Sequence, residues 1–583
     1  MSGFSDWARL VGERPEVALI TNHGYAGVEI PLGGAPDTGG QNFYVNQLAE
    51  ALERLGYAVT IFARGGFPFF GSDRLREGME LLSARVRYVY VPGGGDTFIR
   101  KEDIAIALDE QVEWLDAFVR QEAARRSCKP WEVYEFVNTH YWDAAVMGIG
   151  LVDRWIGDVA ARQVLDVLDG VVDEERGESL WQDRAWLAVG GCPAGAVGSI
   201  LLESRGAGGR AADRAAEALA SWARTRGVPV SDEAAPQLAA RVDEAARRSA
   251  PALLPLRSAL CLGEAVLEAW EADGRTVEEF QVVDRHVWTP HSLGELKSLN
   301  YRSKPDSVRR DLKFCERRNH EQVVCDWTRA FAATSGEIAS YLVTHCGVDA
   351  ESIFYFPPCV NRTLFRPYGD EERAGTYRYL SQVSGVPVEE LVRARIVFET
   401  SRMDGTKRKD VLLEAFALVA AEEPDVYLFI GGGPENDVFK ELSVFRDSLP
   451  SLEGRAFLTG FLPDEEMYPL FSIADVFVTP SEMEGFGMSA SQAAAAGTAL
   501  VSSDLVPFAT LYVPDDALIV RAGDVKGFAE AIGRLLADDA DRMRRAGRLA
   551  EATRELDWDV QTRRFIAHLI ARGMSVAQSG SER

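Results

Sequence analysis

The first clear apolar pattern is the run at 16–23 (EVALITNH), which predicts a buried strand. A polar, glycine-containing loop extends from there to Gln41, and residues 42–56 then carry apolar side chains at the spacing of an amphipathic helix ending at Gly56. A second apolar run at 57–64 predicts another strand. Strand, loop, helix and strand in this order form a βαβ unit, which implies a parallel sheet covered by helices. The runs at 86–92 and 135–140 continue the rhythm.

The same alternation begins afresh in the second half. Strands are predicted at 394–402, 425–433, 475–480 and 498–503, with helices at 409–422, 466–474 and 488–497 between them. Two α/β domains follow, joined between Asn361 and Glu390, and the cleft between them is the expected ligand site because loops at the carboxyl ends of parallel strands open into it. The predicted division is 1–154 with 284–365 for the first Rossmann-like domain and 366–555 for the second. Residues 556–583 are expected to form a helix crossing back to the first domain, followed by a tail. The interval 155–283 reads differently: no lysine occurs between Lys129 and Lys297, and alanine and arginine dominate, so a helical insertion is expected there. Its glycine-rich stretch at 189–199 lacks a strand-loop-helix setting and reads as a loop.

Charge narrows the choice of ligands. With 63 basic and 89 acidic side chains the net charge is −26, which repels nucleic-acid backbones and anionic membranes, so any anionic ligand needs a dedicated pocket. The seven cysteines are scattered and form no Cys-x-x-Cys pair, and no metal-binding spacing is present. The first residues lack the basic-then-apolar order of a secretory leader and no long apolar span occurs, so a cytoplasmic protein without stable membrane insertion is expected.

Several loops carry candidate chemistry. Gly39, Gly40 and Gln41 directly precede a helix, where exposed amides and the positive dipole end suit an oxygen-rich ligand. Arg402 and Lys407 follow a predicted strand and can converge on a leaving diphosphate. Glu484 lies between a strand and a helix, where a carboxylate can accept hydrogen bonds from sugar hydroxyls or simply cap the helix. His140 and His291 occupy polar loops after strands and can face a reacting sugar or serve as structural histidines.

Taken in order, the stretches 39–41, 94–103, 139–148, 289–297, 316–318, 357–361, 401–407 and 484–497 resemble the retaining glycosyltransferases of family 4, closest to the sucrose-phosphate synthase and sucrose synthase group. The resemblance covers both halves but not the insertion. It implies the GT-B architecture, two Rossmann-like domains facing across a cleft, here with a helical insertion in the first. It also assigns catalytic roles to His291, Arg402, Lys407 and Glu484. Donor binding would fall to Gly40, Arg402, Lys407, Glu484, Gly485, Phe486, Gly487, Met488 and Gln492, and acceptor binding to Gly39, Gln41, Lys101, His140, Lys297 and Arg318. Three positions depart from the family pattern: Gln492 and Gln322 stand where glutamates are usual, and Thr97 where a lysine is.

The implied activity moves a hexose from a nucleoside diphosphate sugar such as UDP-glucose to a small phosphorylated sugar or sugar acid. The sugar nucleotide would be a co-substrate, with no resident cofactor or metal. Two other readings stand beside it: an unphosphorylated acceptor, as in specialised-metabolite glycosylation, and a weakly active sugar-nucleotide-binding scaffold. The insertion is the segment that would pair subunits in a homo-oligomer or cap the acceptor pocket.

Overall fold

The computed structural model describes residues 7–155, 285–574 and 576, apart from 8, 13, 32–34, 153, 300, 303, 329 and 434. The helical insertion expected at 155–283, its glycine-rich loop and the final tail therefore lie outside the described residues, except for Trp155.

The first domain begins with β1 (Glu16–Thr21), α1 (Gly40–Arg54), β2 (Ala58–Arg64), β3 (Met79–Leu81) and β4 (Val86–Val91). Then come α2 (Leu108–Arg126), β5 (Val137–His140), β6 (His286–Thr289), the short α3 (Gly294–Leu299), α4 (Phe314–Trp327), β7 (Ala330–Ala333), α5 (Gly336–Cys346) and β8 (Ile353–Tyr355). The sheet order is β3-β4-β2-β1-β5-β6-β7-β8, and only β3 runs antiparallel. β5 and β6 pair in register from Val137–His286 to His140–Thr289, so the chain leaves the sheet at β5 and rejoins it at the neighbouring strand.

Strand alternation sorts β1 onto two faces. Val17 and Leu19 pack with Leu48 and Phe565, while Ala18 and Ile20 pack with Val112, Leu115 and Trp155. Both faces are covered, which is why β1 and β2 are buried throughout and read as continuous apolar runs.

The second domain contains β9 (Arg395–Thr400), α6 (Lys409–Glu422), β10 (Val426–Gly431), β11 (Ala456–Gly460), β12 (Val476–Thr479), α7 (Met488–Ala495), β13 (Ala499–Ser503), β14 (Leu518–Val520) and α8 (Val525–Ala537). Its sheet is parallel with the order β11-β10-β9-β12-β13-β14. In both sheets the order reverses direction once, beside the first strand: between β1 and β5, and between β9 and β12. Crevices outside the carboxyl ends of strands at such switch points are where doubly wound sheets bind ligands.

The chain crosses between domains twice. It leaves the first domain after β8 and returns through residues 553–558 into α9 (Trp558–Ala571), where Val360 N–H donates to Leu556 O at 2.9 Å. α9 packs against α1: Arg54 pairs with Asp559 at 2.8 Å, the Trp558 indole N–H donates to Gln47 at 3.0 Å, and its ring lies 4.8 Å edge-on to Tyr44. No described helix is long and apolar enough to cross a membrane.

Trp558 is 1% exposed, so Trp558→Ala opens a cavity between the domains' last and first helices. The expected loss is about 3–5 kcal/mol in unfolding free energy, read from urea or guanidinium denaturation of the full chain.

Candidate functional site

The switch point of the first sheet is shaped by a loop folded back on itself. Gly24 has φ +74°, and a Cβ there would sit 2.4 Å from Asp37 O, so only glycine lets the two ends of the loop touch. Tyr25 N–H donates to Thr38 Oγ1 at 3.0 Å, and His23 Nδ1 lies 3.2 Å from both oxygens of buried Asp143. The same loop presents Asp37 to Lys101, whose backbone N–H donates to Asp37 Oδ2 at 2.9 Å and whose ammonium also pairs with that carboxylate. Burial would raise the Asp37 carboxyl, but Lys101 outweighs it and holds the group below its ordinary value.

Gln41, in the first turn of α1, donates to Thr21 Oγ1 at 3.3 Å and to His140 O at 3.4 Å, which brings α1, β1 and β5 together. Gly39 is extended and donates its N–H to Asn42 Oδ1 at 3.0 Å.

Beside this loop lies a concave cleft enclosing about 420 Å³, part of it open solvent, whose walls include Lys101, Glu102, Tyr141, Lys297, Lys313 and Arg317. Lys297 is half-buried and has no ion-pair partner among the described residues. Burial first, then the like charges of Lys101 and Arg317, brings its ammonium down to about 8. Lys101 and Lys297 thus line one cleft. Arg318 does not join them: its side chain is 44% exposed and pairs with Glu295 on the outer face of α4. The cation that reaches the cleft is its neighbour Arg317, 7% exposed, which stacks on the Tyr141 ring at 4.3 Å and bonds Tyr141 Oη, Ser292 O at 2.5 Å, Ser292 Oγ at 3.1 Å and Glu321 Oε1 at 2.7 Å. Successive helical residues point about 100° apart, so the two arginines cannot share a face.

His140 also departs from its assigned place. Its ring is 0% exposed and cannot touch an acceptor; instead its Nδ1 lies 3.0 Å from Nε2 of His291, which is half-buried just beyond β6. Burial, with His23 adding to it, holds the His291 imidazole down to about 3, so the ring is neutral at physiological pH.

The second switch point holds the other motif residues. Lys407 is buried and donates to Glu484 Oε1 at 2.5 Å and to Met483 O at 3.4 Å, while Ser481 Oγ donates to the same Glu484 oxygen at 3.2 Å. Arg402 projects into solvent, 3.1 Å from Asp404. Gly487 has φ +101° at the start of α7, where a Cβ would lie 2.4 Å from Val506, and Phe486 packs on Phe508 and Tyr512. Gln492 lies half-buried, one turn into α7.

One group escaped sequence reasoning. Lys409, at the start of α6, pairs with Glu399 at the end of β9 while donating to Ser401 Oγ at 3.0 Å, Ser401 O at 3.2 Å and Gly431 O at 3.2 Å. It fastens both ends of the Arg402–Lys407 loop to the ends of β9 and β10. Its only sequence signal is a lysine opening a largely apolar helix.

The two switch points face each other. A Cβ built on Gly40 would lie 3.9 Å from Met488 Sδ, so the first residues of α1 and α7 meet across the domain boundary, and the hydroxyls of Tyr355 and Tyr512 touch beside them. Among the described residues no three His, Cys, Asp or Glu side chains converge as metal ligands would.

Residues 389–554 match the family described as Glycosyl transferases group 1. A mannosylfructose-phosphate synthase of Agrobacterium fabrum is 25% identical over 84% of this chain and 76% of its own. A D-inositol 3-phosphate glycosyltransferase of Nocardia farcinica is 30% identical over 46% of this chain and 56% of its own. Among solved structures, a sucrose-phosphate synthase from Thermosynechococcus elongatus superposes with a TM-score of 0.56 at 19% identity, covering 97% of this chain and 100% of its own. A Burkholderia xenovorans alpha,alpha-trehalose-phosphate synthase (UDP-forming) in complex with glucose-6-phosphate superposes with a TM-score of 0.50 at 13% identity, covering 95% of this chain and 100% of its own. The fold is GT-B.

The two neighbouring arginines make a paired test. Arg317→Ala leaves buried Glu321 without its cation and is expected to cost about 3–5 kcal/mol of stability. Arg318→Ala removes an exposed ion pair and is expected to cost about 1 kcal/mol or less, both measured by chemical denaturation.

Proposed function

We propose that this chain, a hexosyltransferase with a glycosyltransferase group 1 domain on a GT-B frame, transfers a hexose with retention from a nucleoside diphosphate sugar to a small phosphorylated sugar or sugar acid. The observation that carries the acceptor assignment is Lys297: a half-buried ammonium, depressed to about 8 and lacking an ion-pair partner among the described residues, is electrostatically unfavourable until an anion joins it. In a chain of net charge −26, a cleft whose lining sets Lys101, Lys297, Lys313 and Arg317 against Glu102 and Glu316 has an excess of cations suited to holding a phosphate. The names of the Agrobacterium and Nocardia relatives, and the glucose-6-phosphate bound to the Burkholderia enzyme, agree with a phosphorylated acceptor.

In this reading Arg402, Lys407 and the amino end of α7 receive the donor diphosphate, Glu484 holds the hexose, His291 contacts a hexose hydroxyl, and Gln492 meets the ribose. Phe486 and Met488 shape the donor side, with Gly485 and Gly487 allowing close backbone approach. Gly39 and Gln41 line the acceptor side at the start of α1. As the bond between the anomeric carbon and the phosphate oxygen breaks, negative charge grows on the diphosphate, and the cations stabilise it. The leaving oxygen takes the proton of the acceptor hydroxyl, which attacks from the same face through an oxocarbenium-like state. Alignment in a closed cleft then supplies much of the remaining acceleration, and no protein nucleophile or resident cofactor is invoked. An unphosphorylated acceptor is the second reading, favoured by Asp37 and Glu102, which already offset the charge of Lys101.

A mass-spectrometric product screen pairing nucleotide sugars with hexoses and hexose phosphates tests the proposal. A preference for unphosphorylated acceptors would transfer it to the second reading, and no product with any pair would end it. Lys407→Ala is expected to lower turnover roughly 10²–10³-fold, as loss of one charge contact to a developing anion does; near-normal turnover in the folded variant would remove Lys407 from the donor site. Because Lys297 loses its proton as pH rises through about 8, the acceptor KM should climb between pH 7 and 9, where a phosphate monoester is already a dianion. Lys297→Met is expected to raise that KM roughly 10–100-fold and to abolish the climb.

A further inference from the structure

The pairing of His140 with His291 constrains where protons sit. Only one proton can lie between His140 Nδ1 and His291 Nε2, 3.0 Å apart. Both rings are neutral: burial, with the other ring's charge adding to it, holds His140 well below its ordinary value, and His291 sits at about 3. The Tyr44 ring packs against both histidines, at 6.0 Å and 4.9 Å, but its hydroxyl is directed to Phe356 O at 3.2 Å and offers neither ring a partner.

The far nitrogen of His140 decides between the two arrangements. His140 Nε2 is buried without a hydrogen-bond partner among the described residues. Were the shared proton on His291 Nε2, His140 would carry its own proton on Nε2, a buried N–H with no acceptor, which native proteins rarely tolerate. Were it on His140 Nδ1, the far nitrogen would present only a bare lone pair. We propose that His140 is a positioning residue that donates from Nδ1 to His291 Nε2 and thereby fixes His291 as the Nδ1–H tautomer.

The consequence concerns the cleft. With Nε2 engaged as an acceptor, the other nitrogen of His291 carries the proton, and no described side chain bonds it. His291 therefore meets the sugar as a neutral hydrogen-bond donor and not as a base. This rests on the reading that His291 faces the donor hexose, but the tautomer itself is independent of that reading.

The test uses the full chain with ¹⁵N-labelled histidine. Long-range ¹H–¹⁵N correlation spectra, assigned with His140→Asn and His291→Asn, are expected to show a protonated Nδ1 and a bare Nε2 in both rings, unchanged across neutral pH. Protonated Nε2 in both rings, or an imidazolium in either, would overturn the proposal. Kinetically, His140→Leu is expected to lower kcat roughly tenfold with nucleotide affinity unchanged, as loss of one orienting hydrogen bond does. His140→Asn should recover most of it, because its amide N–H stands where Nδ1–H stood. Wild-type turnover in a folded His140→Leu variant, or no recovery in a folded Asn variant, counts against the relay; should the leucine variant not fold, the asparagine variant and the spectra still decide. If the tautomer is as stated and His291→Asn leaves turnover intact, the donor-hexose reading fails while the relay stands.

Discussion

Parallel pairing is the constraint from which the rest of the molecule follows. A parallel strand cannot be reached by a tight turn, so nearly every strand of both sheets needs a crossover and ends in a loop at the same edge. That edge collects the candidate residues: Gln41 and Lys101 beside β1, His140 and His291 at the ends of β5 and β6, Arg402 and Lys407 beyond β9, and Glu484 beyond β12. The opposite edge of the first sheet is given over to holding the chain. There buried Glu16 pairs with buried Arg87 and with partly exposed Arg126, the latter at 2.5 Å. One edge spends its buried charge on itself, and the other leaves charge available.

Much of this was legible in the sequence, because burial on both faces turns β1, β2, β9 and β10 into plain apolar runs. The short strands β7, β8 and β14 carry three or four residues each and gave no comparable signal. Loops after strands pointed to both histidines, yet nothing in their spacing could reveal that one ring is sealed behind the other. Arg317 and Arg318 show the same limit at closer range. Resemblance marked the pair, while the side of the helix was decided by Glu321, four residues on, a spacing that identifies Arg317 as the paired and buried member. Lys409 and Glu399 are joined by the packing of a helix on a strand end, which no local pattern encodes.

The charges at the two switch points are poised differently. At the second switch point Lys407 already has Glu484 as its partner, so the lysine is held in place without unpaired charge. At the first switch point Lys297 has no ion-pair partner among the described residues, and burial, with the like charges of Lys101 and Arg317 adding to it, weakens its hold on its proton. Placing the paired lysine costs little stability; placing the unpaired one stores an unfavourable interaction that an anion would relieve.

The two crossings between the domains run side by side, with Val360 bridged to residues 556–557 and α9 seated on α1. A single linker would act as a swivel, leaving the lobes free to turn about several axes. A doubled one resists twisting, because turning one lobe against the other strains the Val360 N–H to Leu556 O hydrogen bond that joins the two crossings. The doubled crossing thereby limits how far one lobe can turn against the other, and with it how far the facing starts of α1 and α7 can move out of register.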